Sequence, residues 1–218
     1  MKYLKSYKIF ESVNSDQFFK TKEDIKDWLD RMGIKDYIIH DDLIVDVDGN
    51  VNISDINLKL IPVQFGKVNG NFSCSDNQLK SLEGCPKYVG ENFYCGDNQL
   101  TSLEGCPKSV GGDFDCNNNQ LKDFKGCPEY IEGYFSCSSN QLKDFKGLNK
   151  FKYIYCSDNP IHEIYQLFND PKCIQWINEY NVIQGDKIDL DNFKEVLYML
   201  DIQDFDFNQL KQLKNYKI

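Results

Sequence analysis

The segment from Val68 to Pro160 repeats itself, and this repetition constrains the fold more than any other feature of the chain. One copy reads FYCGDNQLTSLEGCPKSVGGD, and its neighbours keep the same register. The first three intervals between the marker cysteines are 21 residues and the last is 19; the markers are Cys74, Cys95, Cys116, Cys137 and Cys156. A fixed period in the low twenties indicates a solenoid, because no single unit can bury its apolar face and stacked units form one continuous core.

Each copy combines a strand pattern, a turn and a break. In the second copy Phe93 and Cys95 alternate with outward-facing neighbours, which is the period of a β-strand. A Gly-Cys-Pro sequence later ends regular structure on the return side of the unit. Between the two lies an asparagine, whose buried amide can hydrogen-bond the backbone groups that a sharp turn leaves unpaired. We therefore predict a ladder of asparagines, one from each copy: Asn77, Asn98, Asn119, Asn140 and Asn159.

These positions carry a family resemblance. The pattern resembles a leucine-rich repeat, with Phe, Cys, Asn and Leu at the L-x-L-x-x-N-x-L positions. The stretch CSDNQLKSLEGCPKYVGENFYC is similar to leucine-rich repeat proteins encoded by tailed bacteriophages. For the fold, the resemblance implies an α/β solenoid with an arc of about six parallel rungs. For the context, it implies action in the bacterial host cytoplasm on a host or defence protein, although the fold by itself serves many functions.

The chain divides into three predicted parts: an N-terminal helical cap at 1–43, the repeat solenoid at 44–160, and a C-terminal α-helical cap at 161–218. In the first part Thr21 and Asp24 resemble a capping box. The apolar residues that follow are spaced for one face of a helix that ends at Gly33, and we expect Trp28 in the core. These residues are Ile25, Trp28, Leu29 and Met32.

The junction between the first two parts reads as a β-hairpin. Residues 44–47 and 51–53 are apolar-rich and flank Asp48-Gly49, a strong two-residue turn signal. Ile53 lies 21 residues before Cys74, so the second strand of this hairpin is already in the repeat register.

In the last part of the chain, the sequence predicts a short helix at 161–168 and then about three further helices. One begins at Asp170-Pro171, with Asp as N-cap and Pro at the first helical position, and ends before Gly185. Asp189 caps the next. A final helix carries Phe207, Leu210 and Leu213. These helices either seal the solenoid or add a second binding surface, and the sequence leaves both open.

The composition narrows the partners and the compartment. Asp and Glu number 34 against 25 Lys and Arg, for a net charge of −9, which argues against a nucleic-acid partner. No apolar run approaches the roughly 18 residues of a membrane span, and the N-terminus lacks the apolar core of a secretory signal. Nine cysteines occur without a C-x-x-C, and only two histidines accompany them, so we expect no metal site. They are predicted to be small buried side chains, reduced, in the cytoplasm.

The outward side chains of the strands are the candidate binding surface. They include four tyrosines and no lysine or arginine; the set is Asn71, Ser73, Ser75, Asn92, Tyr94, Gly96, Asp113, Asp115, Asn117, Tyr134, Ser136, Ser138, Tyr153, Tyr155 and Ser157. Tyrosine is enriched among the residues that dominate protein interfaces. We therefore expect a non-enzymatic protein-binding module without a cofactor. The anchors would be Tyr94, Asp113, Asp115, Tyr134, Tyr153 and Tyr155.

Two other kinds of function stay open. The first is a small-molecule or nucleotide binder at the junction of the last repeat and the C-terminal helices, and the second is an enzyme with its site in those helices. No nucleophile elbow, phosphate loop or zinc-protease motif occurs. Cys156 and His162 are close in sequence, but Cys156 belongs to the inward cysteine row, where a thiol is inert. A second row, Asp76, Asp97, Asn118, Ser139 and Asp158, is interpreted as turn residues rather than as acid–base groups.

Overall fold

The computed structural model describes residues 18–148, 153–168 and 172–218. Residues 1–17 and the predicted helix start at Asp170-Pro171 lie outside the described residues. Within these ranges the chain forms a β-solenoid of about five turns with parallel sheets and four α-helices. The repeat period of 21 residues is therefore the period of the fold.

Each repeat supplies short strands to two different sheets. The front sheet consists of β3 (Val51–Asn52), β5 (Phe72–Ser73), β7 (Phe93–Tyr94), β9 (Phe114–Asp115), β11 (Tyr134–Ser136) and β12 (Tyr153–Tyr155), all parallel. The return sheet consists of β1 (Tyr37–Ile39), β2 (Ile44–Val47), β4 (Gln64–Val68), β6 (Tyr88–Val89), β8 (Ser109–Val110) and β10 (Tyr130–Ile131). Only β1 is antiparallel to its neighbour in this sheet. The sequence predicted the front strands and β2, but not the other strands of the return sheet.

The core of the solenoid is a stack of identical side chains. Phe72, Phe93, Phe114 and Phe135 occupy the same register position of four successive front strands and are fully buried. Their ring centroids are 5.6, 5.2 and 5.4 Å apart, in stacked geometry. Aromatic pairs in this range add to the stabilisation that burial alone provides. The cysteines that follow them are buried as well, as predicted.

The chain leaves each front strand through a left-handed residue. Asp76, Asp97, Asn118, Ser139 and Asp158 all have φ of 53–54°. Asp and Asn tolerate this conformation better than most residues. The interpretation of this row as turn residues is confirmed.

The predicted N-terminal helix is confirmed. Helix α1 (Lys22–Met32) begins where Thr21 Oγ1 accepts a hydrogen bond from the Asp24 backbone N–H at 3.1 Å. It ends at Gly33, whose φ is 71°. Its inner face buries Ile25, Trp28 and Leu29 in the core.

The predicted hairpin around Asp48-Gly49 is wrong. Strand β2 pairs with β1 and β4 in the return sheet, whereas β3 pairs with β5 in the front sheet. The hairpin of this region joins β1 to β2, and Asp48-Gly49 forms the corner between the two sheets. Asp-Gly occurs where the chain turns a corner as well as where it reverses direction. The repeat register decides between the two here, because it places β3 beside β5. The Ile53 N–H accordingly donates to Ser73 O at 2.9 Å.

The C-terminal part contains helices α2 (His162–Phe168), α3 (Lys172–Glu179) and α4 (Leu190–Met199). Asp189 caps α4 as predicted, accepting from the Asp191 and Asn192 backbone N–H groups at 3.1 and 3.0 Å. Strands β13 (Ile183–Gln184) and β14 (Lys187–Ile188), which the sequence analysis did not predict, form an antiparallel pair.

The predicted last helix is wrong, because only a single 3₁₀ turn, Leu210–Gln212, forms there. The end of the chain instead lies beside β14, where the Ile188 N–H donates to Lys217 O at 2.8 Å.

Candidate binding face

We call the outward side of the front sheet the front face. One row of its side chains is set by the pairing of successive strands: Ser73, Tyr94, Asp115, Ser136 and Tyr155. A second row lies two residues earlier in each repeat: Asn71, Asn92, Asp113, Tyr134 and Tyr153. All six predicted anchor residues belong to these two rows.

Three of the predicted anchors form a compact aromatic group, the tyrosine cluster of Tyr134, Tyr153 and Tyr155. The Tyr134 ring centroid lies 5.2 Å from that of Tyr153 and 5.5 Å from that of Tyr155, both in stacked geometry. The three side chains are nevertheless 43%, 46% and 55% exposed. Mutual stacking limits their rotamers, so the cluster presents a rigid aromatic surface to solvent.

The other three anchors form an acidic neighbourhood one to two turns away. Tyr94 and Asp115 are register neighbours on adjacent strands. Partial burial raises the pKa of the Tyr94 hydroxyl, and the nearby negative charges of Asp113, Asp115 and Glu91 raise it further. Burial likewise raises the pKa of the Asp115 carboxyl, with a smaller contribution from Asp97. The face therefore concentrates negative charge around Tyr94.

Asp113 also has a structural role that the sequence analysis missed. The residue directly before each of four successive front strands carries a side-chain oxygen. That oxygen accepts a hydrogen bond from a backbone N–H one turn later in the solenoid. This outer ladder runs through Asn50, Asn71, Asn92 and Asp113, and its N–H donors are Asn71, Asn92, Asp113 and Tyr134, at 2.7, 3.0, 2.6 and 2.8 Å. The sequence does contain a signal for this outer ladder, because its three asparagines are spaced 21 residues apart.

The predicted inner asparagine ladder is confirmed in all five copies. The side-chain oxygen of Asn119 accepts from the Leu100 N–H at 2.9 Å. Its amide nitrogen donates to Cys95 O, Cys116 O and Asn117 O at 3.1, 3.2 and 3.1 Å. The other four asparagines repeat this pattern and are all buried. The ladder satisfies the backbone groups that the turns expose and holds the front strands in register.

A cysteine–histidine pair lies at the end of the solenoid. Cys156 Sγ lies 3.8 Å from His162 Nδ1. Burial raises the pKa of the Cys156 thiol to about 12, which favours the protonated thiol over the reactive thiolate. In the described part of the chain, no group of three or more His, Cys, Asp or Glu side chains is arranged to hold a metal ion.

Two concavities, of about 400 and 370 Å³, lie on the return side of the solenoid. They are lined by the Gly-Cys-Pro segments and by charged side chains such as Lys87 and Glu104. Both are away from the junction with the C-terminal helices. At that junction Asn178 Nδ2 donates to Phe145 O at 2.9 Å, and the Tyr216 hydroxyl donates to Lys143 O. A small-molecule site at the junction stays a prediction.

The helices in the described ranges are all too short or too polar to cross a membrane. No family model matches the chain, and no curated protein or solved structure matches it either. Similarity to known proteins therefore supplies no function, and the proposals below rest on the repeat sequence and on the geometry of the front face.

Proposed function

We propose that this chain is a non-enzymatic protein-binding module that holds its partner on the front face. The tyrosine cluster is the observation that carries this proposal. Each tyrosine offers a large, rigid aromatic area together with a hydroxyl, a combination that is enriched at the energetic centres of protein interfaces.

A merely solvated sheet face would not need the cluster. Ser73 and Ser136 occupy the same register row as Tyr155, so the solenoid accepts a small polar residue at this position. About half of each tyrosine side chain stays exposed, which leaves a large aromatic area available to a partner. This exposed aromatic area supports a role in binding.

The finer proposals concern family and context. We propose a leucine-rich-repeat module of about six rungs, with helical caps at both ends. From the resemblance of the repeat residues alone, we propose a phage-encoded factor that acts on a host or defence protein in the bacterial cytoplasm. Nine buried, reduced thiols support a reducing compartment.

The experiment is an affinity capture with the tagged chain in reducing bacterial lysate, with and without phage infection, read by mass spectrometry. The test variant is Tyr134→Ser with Tyr155→Ser. The matched control is Tyr88→Ser with Tyr130→Ser, which removes two tyrosines that are 40% and 52% exposed on the return sheet. Serine suits both sheets, since Ser136 lies between Asp115 and Tyr155 on the front sheet and Ser109 lies between Tyr88 and Tyr130 on the return sheet.

We expect the wild type and the control variant to retain the same protein and the test variant to lose it. All three chains should have similar melting temperatures. Equal retention by all three would refute the front face as the binding surface. Failure of the wild type to retain any protein from either lysate would refute the binding function.

A further inference from the structure

The two sheets of the solenoid differ in how their charges are balanced. Among the described residues, the two rows of the front face contain Asp113 and Asp115 and no lysine or arginine. The return sheet carries both signs: Lys67 lies in β4 and Asp46 in β2, and the residues directly before β6, β8 and β10 are Lys87, Lys108 and Glu129. A partner that approaches the front face therefore meets negative charge.

The front-face carboxylates have no cation of their own within the described ranges. Asp115 Oδ1 accepts from the Asn117 N–H at 2.8 Å, and Asp113 Oδ1 accepts from the Tyr134 N–H. On the return side, by contrast, Glu104 and Glu129 are paired with lysines at 3.1 and 3.6 Å. A partly buried carboxylate without a counter-charge is destabilised relative to one with a cation beside it. A cation supplied by a partner would therefore bind favourably at Asp115.

Tyr94 adds a second reason for a cation at this place. Its ring lies beside Asp115 on the neighbouring strand and is only partly buried. The return sheet already contains such an arrangement, since Lys67 Nζ lies 5.3 Å from the centroid of the Tyr88 ring on the adjacent strand. A cation over an aromatic ring is attracted by the negative face of the ring.

We propose that the partner of the front face is a basic protein segment that places a lysine or arginine at Asp115 and Tyr94 and an apolar or aromatic side chain on the tyrosine cluster. This proposal rests on the proposed function. Asp115 and Tyr155 are two strands apart, which is about 10 Å at ~4.8 Å per strand. An extended segment directs only every second side chain to the same face, about 7 Å apart, so the basic and apolar side chains stand roughly two or four positions apart.

The test is a selection of peptides from a random dodecapeptide library in which basic and acidic residues are equally frequent. The library is screened against the full chain and against Asp113→Asn with Asp115→Asn. Both substitutions preserve the fold, because an asparagine at position 113 would continue the outer-ladder asparagines, and the amide oxygen at position 115 can still accept from the Asn117 N–H. The control is Glu195→Gln with Asp204→Asn, which removes the same two charges from exposed positions in the C-terminal part.

We expect the wild type and the control to enrich peptides with lysine or arginine roughly two or four positions from an aromatic residue. The affinity of such a peptide, measured by fluorescence anisotropy, should be about tenfold weaker for the Asp113→Asn, Asp115→Asn chain. It should also weaken as salt rises from about 0.05 to 0.5 M, because partly exposed ion pairs are screened.

Enrichment of neutral or acidic peptides, unchanged affinity in the double-asparagine chain, or no enrichment at all would overturn the basic partner. A parallel selection on Tyr134→Ser with Tyr155→Ser separates this failure from that of the proposed function. If neutral or acidic peptides are enriched and their binding depends on Tyr134 and Tyr155, the basic partner is refuted but the proposed protein-binding function is supported. Peptides that bind equally without the tyrosines would refute the front face itself.

Discussion

Replacing Asn119 by alanine tests the inner asparagine ladder at its centre. The side chain is only 8% exposed and makes four hydrogen bonds to the backbone of this turn and the preceding one. The three carbonyl oxygens that it serves each keep another donor: Asn98 Nδ2 on Cys95 O, Asn140 Nδ2 on Cys116 O, and the Asp97 N–H on Asn117 O. The Leu100 N–H is different, since Asn119 Oδ1 is its acceptor in the structure.

The magnitude follows from that asymmetry. A buried N–H without an acceptor costs about 1–3 kcal/mol, and the weakened bonds to the carbonyls add about 1 kcal/mol. Asn119→Ala should therefore lower the free energy of unfolding by about 2–4 kcal/mol. For a chain of this size that corresponds to a melting temperature lower by roughly 5–15 °C.

Urea denaturation and calorimetry measure both quantities. The matched control is Asn50→Ala, which removes an outer-ladder oxygen that accepts from the Asn71 N–H at an exposed contact. Water can replace that acceptor, so the control should lose less than about 1 kcal/mol. Equal losses at the two positions, or a loss below about 1 kcal/mol at Asn119, would refute the ladder as a main source of stability.

Three further predictions concern charge, backbone geometry and thiol chemistry. Burial raises the pKa of the Asp115 carboxyl in the folded chain, so the stability of the wild type falls as pH rises through that pKa. Asp115→Asn should therefore be more stable than the wild type at neutral pH but not at pH ~3. Urea denaturation at both pH values measures the difference. Gly126→Ala should lower the melting temperature more than Gly185→Ala, because both have positive φ but only at Gly126 would a Cβ lie 2.4 Å from a backbone nitrogen, that of Glu104. All nine cysteines are buried and reduced, so a thiol reagent should label the native chain only at its rate of unfolding and label it fully in denaturant.

The sequence predicted the features that repeat in every copy. Five asparagines and five cysteines in one register specify the period, the inner ladder and the buried row, because a residue repeated at a fixed offset must have a repeated environment. The outward positions followed from strand alternation. The structure confirms the placement of Asn77, Asn98, Asn119, Asn140 and Asn159, and it places the six anchors on the outward rows.

The return sheet could not be predicted in the same way. A return strand such as Tyr88–Val89 buries a single residue, Val89, so it lacks the alternating pair of buried residues that marks a front strand at Phe93 and Cys95. The hairpin error has a related cause, since Asp48-Gly49 signals a change of direction without stating whether the chain reverses or turns a corner. At the C-terminus the apolar spacing of Phe207, Leu210 and Leu213 indicated a helix, but pairing of the chain end with β14 overrides it.

The tyrosine cluster also needed the structure. Alternation predicted that Tyr134, Tyr153 and Tyr155 face outward, but the strand register shows that Tyr134 stacks on both of the others. The acidic neighbourhood of Tyr94 likewise depends on which strands are adjacent. Both features come from contacts between turns, which a single copy of the repeat does not encode.

The most direct test of the front face is site-specific photo-cross-linking in cells. A photoreactive benzoyl-phenylalanine is placed by Tyr155→p-benzoylphenylalanine on the front face and, in a second chain, by Tyr88→p-benzoylphenylalanine on the return sheet; both positions are exposed aromatic sites. We predict a discrete cross-linked protein adduct from position 155 and none from position 88. An adduct from position 88 alone, or equal adducts from both, would contradict the assignment of binding to the front face.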